Sequence, residues 1–431
     1  MLGDQPPLVR SPLPGPAGQV LLDQLAQVES PAFTARRARR QERSGAAQDP
    51  IVWTEARGAN VIDADGNRYV DLTSGFGVAS VGHAHPRVVG AICAQAARLL
   101  HALGDLHPST LKIELLSRLC ALAPIADARA VLSLSGSDAV ETALKTATLA
   151  TGKPGVLAFE GAYHGLSHGP LAACGYAESF RAPFAAQLNP HVVFAPWPAH
   201  DASLRAALAD VAGRLDADVG AILVEPIQGR GGVRMPPAGF LAGLADLAHE
   251  HGGLLIVDEI FTGFGRCGAM FLSAEAGVEP DLLCLGKSLG GGLPVSACVG
   301  RAEVMAAWGD PVGEAIHTGT FFGHPLGCAA ALATLDVIED EALAARTLEL
   351  GEGWSRGLAA LDGVRVVRGR GLMLGLELEA DVLVVVRKLL ERGYLTLPAG
   401  AGADVLQLVP PLNISRALLD GFVETLGEVL T

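Results

Sequence analysis

An aspartate and a lysine each close a short apolar run, and the pair is the chemistry to explain. Leu254-Leu255-Ile256-Val257 ends in Asp258 and Glu259, and Leu282-Leu283-Cys284-Leu285 ends in Gly286 and Lys287. Such runs predict buried strands of a parallel sheet. One strand–helix unit of chain separates them. The two charges are therefore expected side by side at the carboxyl ends of neighbouring strands, the edge where open α/β sheets bind ligands. A lysine and a carboxylate there suit pyridoxal phosphate, which takes a lysine for its Schiff base and a carboxylate against its pyridine nitrogen. The carboxylate keeps the ring protonated, because an opposite charge favours the charged form. Desolvation or a cationic neighbour makes the lysine amine reactive at neutral pH. Lys287 and Asp258 fit these two roles.

Nucleotide binding is the competing reading, since LLIVDE looks like a Walker B strand and Gly286-Lys287-Ser288 like the end of a phosphate loop. That loop needs a glycine five residues before its Gly-Lys pair. Asp281 occupies the position, and the order of the two motifs is reversed. The reading carries little weight.

The elements that must position the pair follow from the rest of the chain. Its 431 residues are 50% hydrophobic and 18% charged, enough for a large core. A net charge of −14 argues against nucleic acid as a partner. The seven cysteines (93, 120, 174, 267, 284, 298, 328) show no Cys-x-x-Cys spacing and read as reduced thiols of a cytoplasmic protein. No apolar run reaches membrane-spanning length, and a Pro-rich start argues against a signal peptide.

Residues 1–18 read as loosely draped, and 20–28 have helical spacing. Arg36, Arg37, Arg39 and Arg40 read as a solvated helix face. Residues 51–71 predict a small antiparallel sheet with a turn at Asp65-Gly66. His83 and His85 have no further ligand at metal spacing and read as a structural loop before a helix over 86–100. Strands are then expected at 131–134, 155–159, 192–194, 221–224, 254–257, 282–285 and 296–299, with helices between. This is a doubly wound, mostly parallel α/β sheet of seven strands. A long helix from Pro325 and strands at 364–367, 372–378 and 406–409 predict a separate α+β unit. The expected division is an N-terminal segment 1–75 joined to the small domain, a large cofactor-binding domain 76–330, and a C-terminal small domain 331–431.

Further motifs sit at strand ends. Ser135-Gly136-Ser137-Asp138 opens a helix, where small residues and free amides suit phosphate; a plain helix cap is the simpler reading. The Gly161–Gly165 loop offers Tyr163 for stacking on a ring and His164 beside it. Glu225 and Gln228 end another strand. Thr320 lies in a polar loop before the helix at Pro325 and suits either phosphate or a cap.

Seven segments, SGSDAVETALKTA, FEGAYHG, VEPIQG, LLIVDEIFTGFGR, LGKSLGGGLP, TGTFFGHP and VPPLNIS, resemble in type and order the class III, ω-amino-acid type, pyridoxal-phosphate-dependent aminotransferases. The resemblance runs from about residue 50 to residue 431. It implies fold type I, the aspartate aminotransferase fold, and a homodimer with active sites at the subunit interface. Lys287 resembles the Schiff-base lysine and Asp258 the pyridinium partner. Gly136 and Ser137, with Ser135, look like the phosphate cup. Tyr163 would stack on the ring and Ile260 pack on its other face. Gln228 would approach the ring hydroxyl, with His164 and Glu225 among the cofactor-binding residues. Thr320 would reach the phosphate of the neighbouring subunit's cofactor. Many ω-amino-acid members carry a glutamate after the QG and an arginine before the PPL motif. Here those positions are Arg230 and Gln407. Arg230 is then either a substrate-carboxylate ligand or a surface arginine; Arg370 reads as structural. The implied reaction moves an amino group from an amino acid or ω-amino donor to an oxo acid by a ping-pong mechanism. A racemase or aminomutase of the same fold is the alternative, and a silent binding protein the reading from another class.

Overall fold

Glycine and charge break the middle of the chain into apolar runs, and in the computed structural model each run is a strand. Residues 2–45, 50–309 and 315–431 are described. First come β1 (Trp53–Arg57), β2 (Asn60–Asp63) and β3 (Arg68–Asp71), an antiparallel ladder turned between β2 and β3 around Gly66 at φ +79°. The main sheet is β4 (Ala128–Ser133), β5 (Gly155–Phe159), β6 (Val192–Ala195), β7 (Val219–Val224), β8 (Leu254–Asp258), β9 (Leu282–Leu285) and β10 (Ser296–Arg301). The strands stand in the order β4-β10-β9-β8-β7-β5-β6. From β6 through β5, β7 and β8 to β9 every pairing is parallel; β10 runs antiparallel to both its neighbours. This is the mostly parallel seven-stranded sheet the alternation predicts.

Every residue of β5, β7 and β9 is buried, as a sheet covered on both faces requires. Successive side chains enter opposite layers. Leu157, Ile222, Leu255 and Leu283 join one apolar cluster, and Val156, Ala221, Ile256 and Leu282 the other. The second cluster includes Ala139, Val140, Ala143 and Ala147 of the helix Gly136–Thr151. This packing sets the helix N-terminus at the edge of the sheet.

Toward the C-terminus the helix Pro325–Asp340 starts at the expected proline. Beyond it lie β11 (Val364–Arg370), β12 (Met373–Leu378), β13 (Tyr394–Leu395), β14 (Leu397–Ala399) and β15 (Val405–Leu408). Four of them form an antiparallel sheet in the order β11-β12-β15-β14, packed on helices through Trp354, Leu376, Leu389, Leu406 and Phe422. The fifth, β13, pairs in parallel with β3, so the two ends of the chain share a sheet.

One expected helix is shorter than its apolar pattern suggests. It spans Pro86–Ala96, and the Gln95 amide donates to the Leu99 carbonyl, taking it out of helical pairing. Leu99 and Leu100, expected within it, lie beyond its end and are exposed. In the loop before it, His83 Nε2 lies 2.8 Å from Asp71 Oδ2.

Candidate active site

Parallel pairing of β8 with β9 sets Asp258 opposite Cys284, so Asp258 and the turn carrying Lys287 leave the sheet at one edge. Asp258 is buried. Its Oδ2 lies 2.8 Å from His164 Nδ1, and its Oδ1 accepts the Ile260 N–H at 3.1 Å. The adjacent carboxylate is used differently. Glu259 accepts from the backbone of Leu272 and Ser273 and from the hydroxyls of Thr262 and Ser273. That leaves Glu259 a structural staple and Asp258 the carboxylate at the cavity.

Lys287 begins a short 3₁₀ turn, Lys287–Gly290, at φ +42°. Left-handed backbone is unusual for a side chain with a Cβ and persists where surroundings impose it. The turn opens no long helix, which removes the phosphate-loop reading. Lys287 Nζ stands 4.1 Å from the Phe261 ring centroid and has no hydrogen bond or ion pair among the described residues. Burial pushes its pKa below the usual lysine value; Asp258 and Glu225 oppose the shift, and Arg230 adds to it.

Two cavities meet at this lysine. The smaller, of 290 Å³, is walled by Gly136, Ser137, Tyr163, His164, Asp258 and Ile260, with Lys287 at its edge. The larger, of 790 Å³, is lined by Arg230, Phe180 and Gln407 among others. Tyr163, Glu225, Phe261 and Lys287 border both. The smaller cavity fits pyridoxal phosphate on three counts. A buried carboxylate and an unpaired lysine face it. His164 Nε2 is buried without a partner among the described residues. The N-terminus of the helix Gly136–Thr151 opens onto it, with Ile260 so close that a Cβ on Gly136 would come within 2.9 Å of its Cδ1. A glycine there leaves backbone amides accessible to an anion.

Glu225 deepens the charge pattern. Its Oε2 accepts the Tyr163 N–H at 3.0 Å. Burial raises its pKa from 4.5 to about 7; Asp258 raises it further, while His164, the Tyr163 N–H and Lys287 oppose. A carboxyl with a raised folded-state pKa adds stability that is complete below about pH 4.5 and lost as pH climbs through about 7. Relative to Glu225→Gln, the wild type is expected to lose on the order of 1–3 kcal/mol between about pH 5 and pH 8. Chemical denaturation of both proteins across that range checks this, and a constant difference between them rules it out.

The remaining predicted residues are divided. Ser135 is exposed and caps the helix, completing a capping box with Asp138. Gln228 is fully buried, donates to the Glu160 carbonyl at 2.9 Å and lies outside both cavity walls. Thr320 is exposed and also outside both walls of its own chain. Arg370 pairs with Glu275, as a structural arginine would. Arg39 and Arg40 were expected on a solvated face; Arg39 is exposed, yet both line the larger cavity. The side chains of Arg36 and Arg37 lie outside the described residues. Sequence reasoning missed Phe261, Tyr176 and Phe180. Phe261 had one signal, its place three residues beyond Asp258. Tyr176 and Phe180 had none.

A family model described as aminotransferase class-III matches residues 43–430. An acetylornithine aminotransferase of Methanothermobacter thermautotrophicus is 38% identical, covering 89% of this chain and 95% of its own length. A 4-aminobutyrate aminotransferase of Mycobacterium leprae is 35% identical, covering 88% and 91%. Among solved structures, a PLP-bound amine transaminase from an uncultivated Pseudomonas species superposes with a TM-score of 0.80 at 30% identity, covering 90% and 96%.

Proposed function

The chain belongs to the class III aminotransferases, which are pyridoxal-phosphate dependent, and from that premise we propose how its own residues divide the work. The overall reaction moves an amino group from an amino acid or ω-amino donor to an oxo acid. The observation that supports the division is that Asp258 and Lys287 face one cavity from the ends of adjacent parallel strands.

Bound pyridoxal phosphate supplies an aldehyde carbon that takes the donor's nitrogen and a protonated ring that stores the electron pair freed at the substrate carbon. Lys287 holds the cofactor at rest. Its Nζ, once free, would accept the proton from the substrate carbon and return it. Burial pushes its pKa below the usual lysine value, which favours the free amine that task needs. Asp258, oriented by His164 and the Ile260 N–H, would set its carboxylate against the ring nitrogen. Gly136 and Ser137 offer helix-terminal amides to the phosphate, with Ser135 setting that terminus. Tyr163 and Ile260, on the wall of the smaller cavity, would flank the ring, and Glu225 brings a carboxyl whose pKa burial has raised. Gln228, hydrogen-bonded to Glu160, braces the loop that carries Tyr163.

The working unit is a homodimer in which Thr320 reaches the partner's cofactor. Its support is the apolar surface around that loop: Leu100, Leu103, Leu106 and Phe321 are all exposed, and Phe321 meets His101 with ring centroids 5.2 Å apart. Residues 1–75 and 331–431 form the small domain, with the β3–β13 pairing in its favour, and residues 76–330 the large one. The site of action is the cytoplasm, in keeping with seven free cysteines. No helix among the described residues is long and apolar enough to cross a membrane.

Single amines added to holo-protein without acceptor test the reading. Loss of the cofactor's visible band, restored by an oxo acid with the amine now on the acid, is the expected result. A band that persists while an amino acid loses optical purity would mark a racemase, which none of the relatives named above is.

A further inference from the structure

Arg230 sits in an aromatic cage on the wall of the larger cavity. Its guanidinium carbon lies 4.3 Å from the Tyr163 ring centroid, 5.0 Å from Tyr176 and 5.8 Å from Phe180. The rings brace one another: Tyr163 and Tyr176 meet edge to face at 6.1 Å, and Tyr176 and Phe180 lie 5.7 Å apart. The Tyr176 hydroxyl donates to the Gly400 carbonyl, and the Gly400 N–H donates to the Arg230 carbonyl, each at 2.9 Å. Cage and arginine backbone are thus tied to the same loop.

Cation–π contacts engage the flat face of a guanidinium and leave its in-plane N–H donors for a carboxylate. No carboxylate pairs with Arg230 among the described residues. Glu225 is the only carboxylate on this wall among them, and it is engaged by the N–H groups of Tyr163 and Gly229. Gln407, also lining this cavity, is neutral, and its amide donates to the Gly229 carbonyl at 2.8 Å. An arginine cannot shed its charge, and covering it with an uncharged substrate strands a desolvated cation. A ping-pong enzyme takes donor and acceptor into the same cavity, so both meet the same fixed cation.

We propose that Arg230 is a permanent, unswitched carboxylate anchor. Donor and acceptor are then both carboxylates, with the carboxylate at a matched span from the reacting nitrogen or carbonyl carbon. Amines without a carboxylate are poor donors. The inference rests on the aminotransferase reading and adds its substrate class. Arg39, exposed on the same cavity wall, adds positive potential that draws anions inward, and the 790 Å³ volume leaves room for a chain between carboxylate and amine.

The test uses holoenzyme and its Arg230→Gln and Arg230→Lys variants. Calorimetry measures the binding of pentanoate, an unreactive carboxylate. Half-reaction rates are taken for L-glutamate and for the ω-amino acids from β-alanine to 6-aminohexanoate, each beside the amine of the same chain lacking the carboxylate. Arg230→Gln is expected to weaken pentanoate roughly 10- to 100-fold. It should raise KM for the best donor and for 2-oxoglutarate by similar factors and leave the carboxylate-free amines no worse. Arg230→Lys should recover part of the loss. Absent or unchanged pentanoate binding overturns the proposal, as does a loss confined to one of the two substrates. An equal loss for carboxylate-free amines marks a structural role and also overturns it. Should Arg230→Gln fail to fold, the wild type decides: equal kcat/KM for acids and their carboxylate-free counterparts is the negative result. If no donor at all transfers its amine to an oxo acid, it is the aminotransferase reading that fails.

Discussion

Lys287→Ala is expected to lower amine transfer by at least about 10⁴-fold while the protein stays folded. Lys287 is the only lysine on either cavity wall among the described residues, so no neighbouring amine among them replaces it. Two separate losses combine: the covalent hold on the cofactor, and the base that moves the proton at the substrate carbon. The substitution has a second consequence that a purely structural lysine would not show. A buried lysine amine with no hydrogen-bond partner among the described residues is a cost to the folded state. Lys287→Met, which keeps most of the stem, is therefore expected to stabilise the cofactor-free protein by on the order of 1 kcal/mol. Turnover and thermal melts on the same preparations separate the two effects. Turnover above about a hundredth of wild type in Lys287→Ala would end the assignment, given the magnitude expected of such a base.

Asp258→Asn, nearly identical in shape, is expected to cost about 10²- to 10³-fold in kcat, the scale of losing one preorganised charge aimed at the reacting system. Asparagine can still accept from the Ile260 N–H, so the effect reads out charge and not packing. Because Asp258 raises the Lys287 pKa against burial, removing its charge should lower that pKa further. Acylation of Lys287 in cofactor-free protein, followed against pH, should then begin at lower pH in the variant. Full activity in Asp258→Asn, or an unmoved acylation profile, refutes the electrostatic role.

Much of this site was legible in the chain. The strands carrying Asp258 and Lys287 are short apolar runs bounded by glycine or charge, and such a signal is local. The helix start at Ser135 was equally readable, because capping depends on a few adjacent residues. Less legible were residues whose role depends on where a side chain turns. Gln228 and Glu225 lie in one motif, yet Glu225 faces the cavities while Gln228 turns to the Glu160 carbonyl. The helix after Pro86 has a continuous apolar pattern, but its last leucines are exposed, so periodicity overstated its length.

By itself, then, the sequence determined which segments become buried strands, where charge interrupts them, and the order of motifs that marks the family. All of these rest on neighbouring residues and on burial of apolar runs. Only the tertiary structure decided that Asp258 serves the cavity while Glu259 staples the backbone of Leu272 and Ser273. It alone placed β10 antiparallel between β4 and β9 and brought Tyr176, Phe180 and the loop at Gly400 around Arg230. These outcomes depend on contacts between segments far apart in the chain. Their energy comes from shared burial and from satisfying polar groups across the fold, which no local pattern encodes.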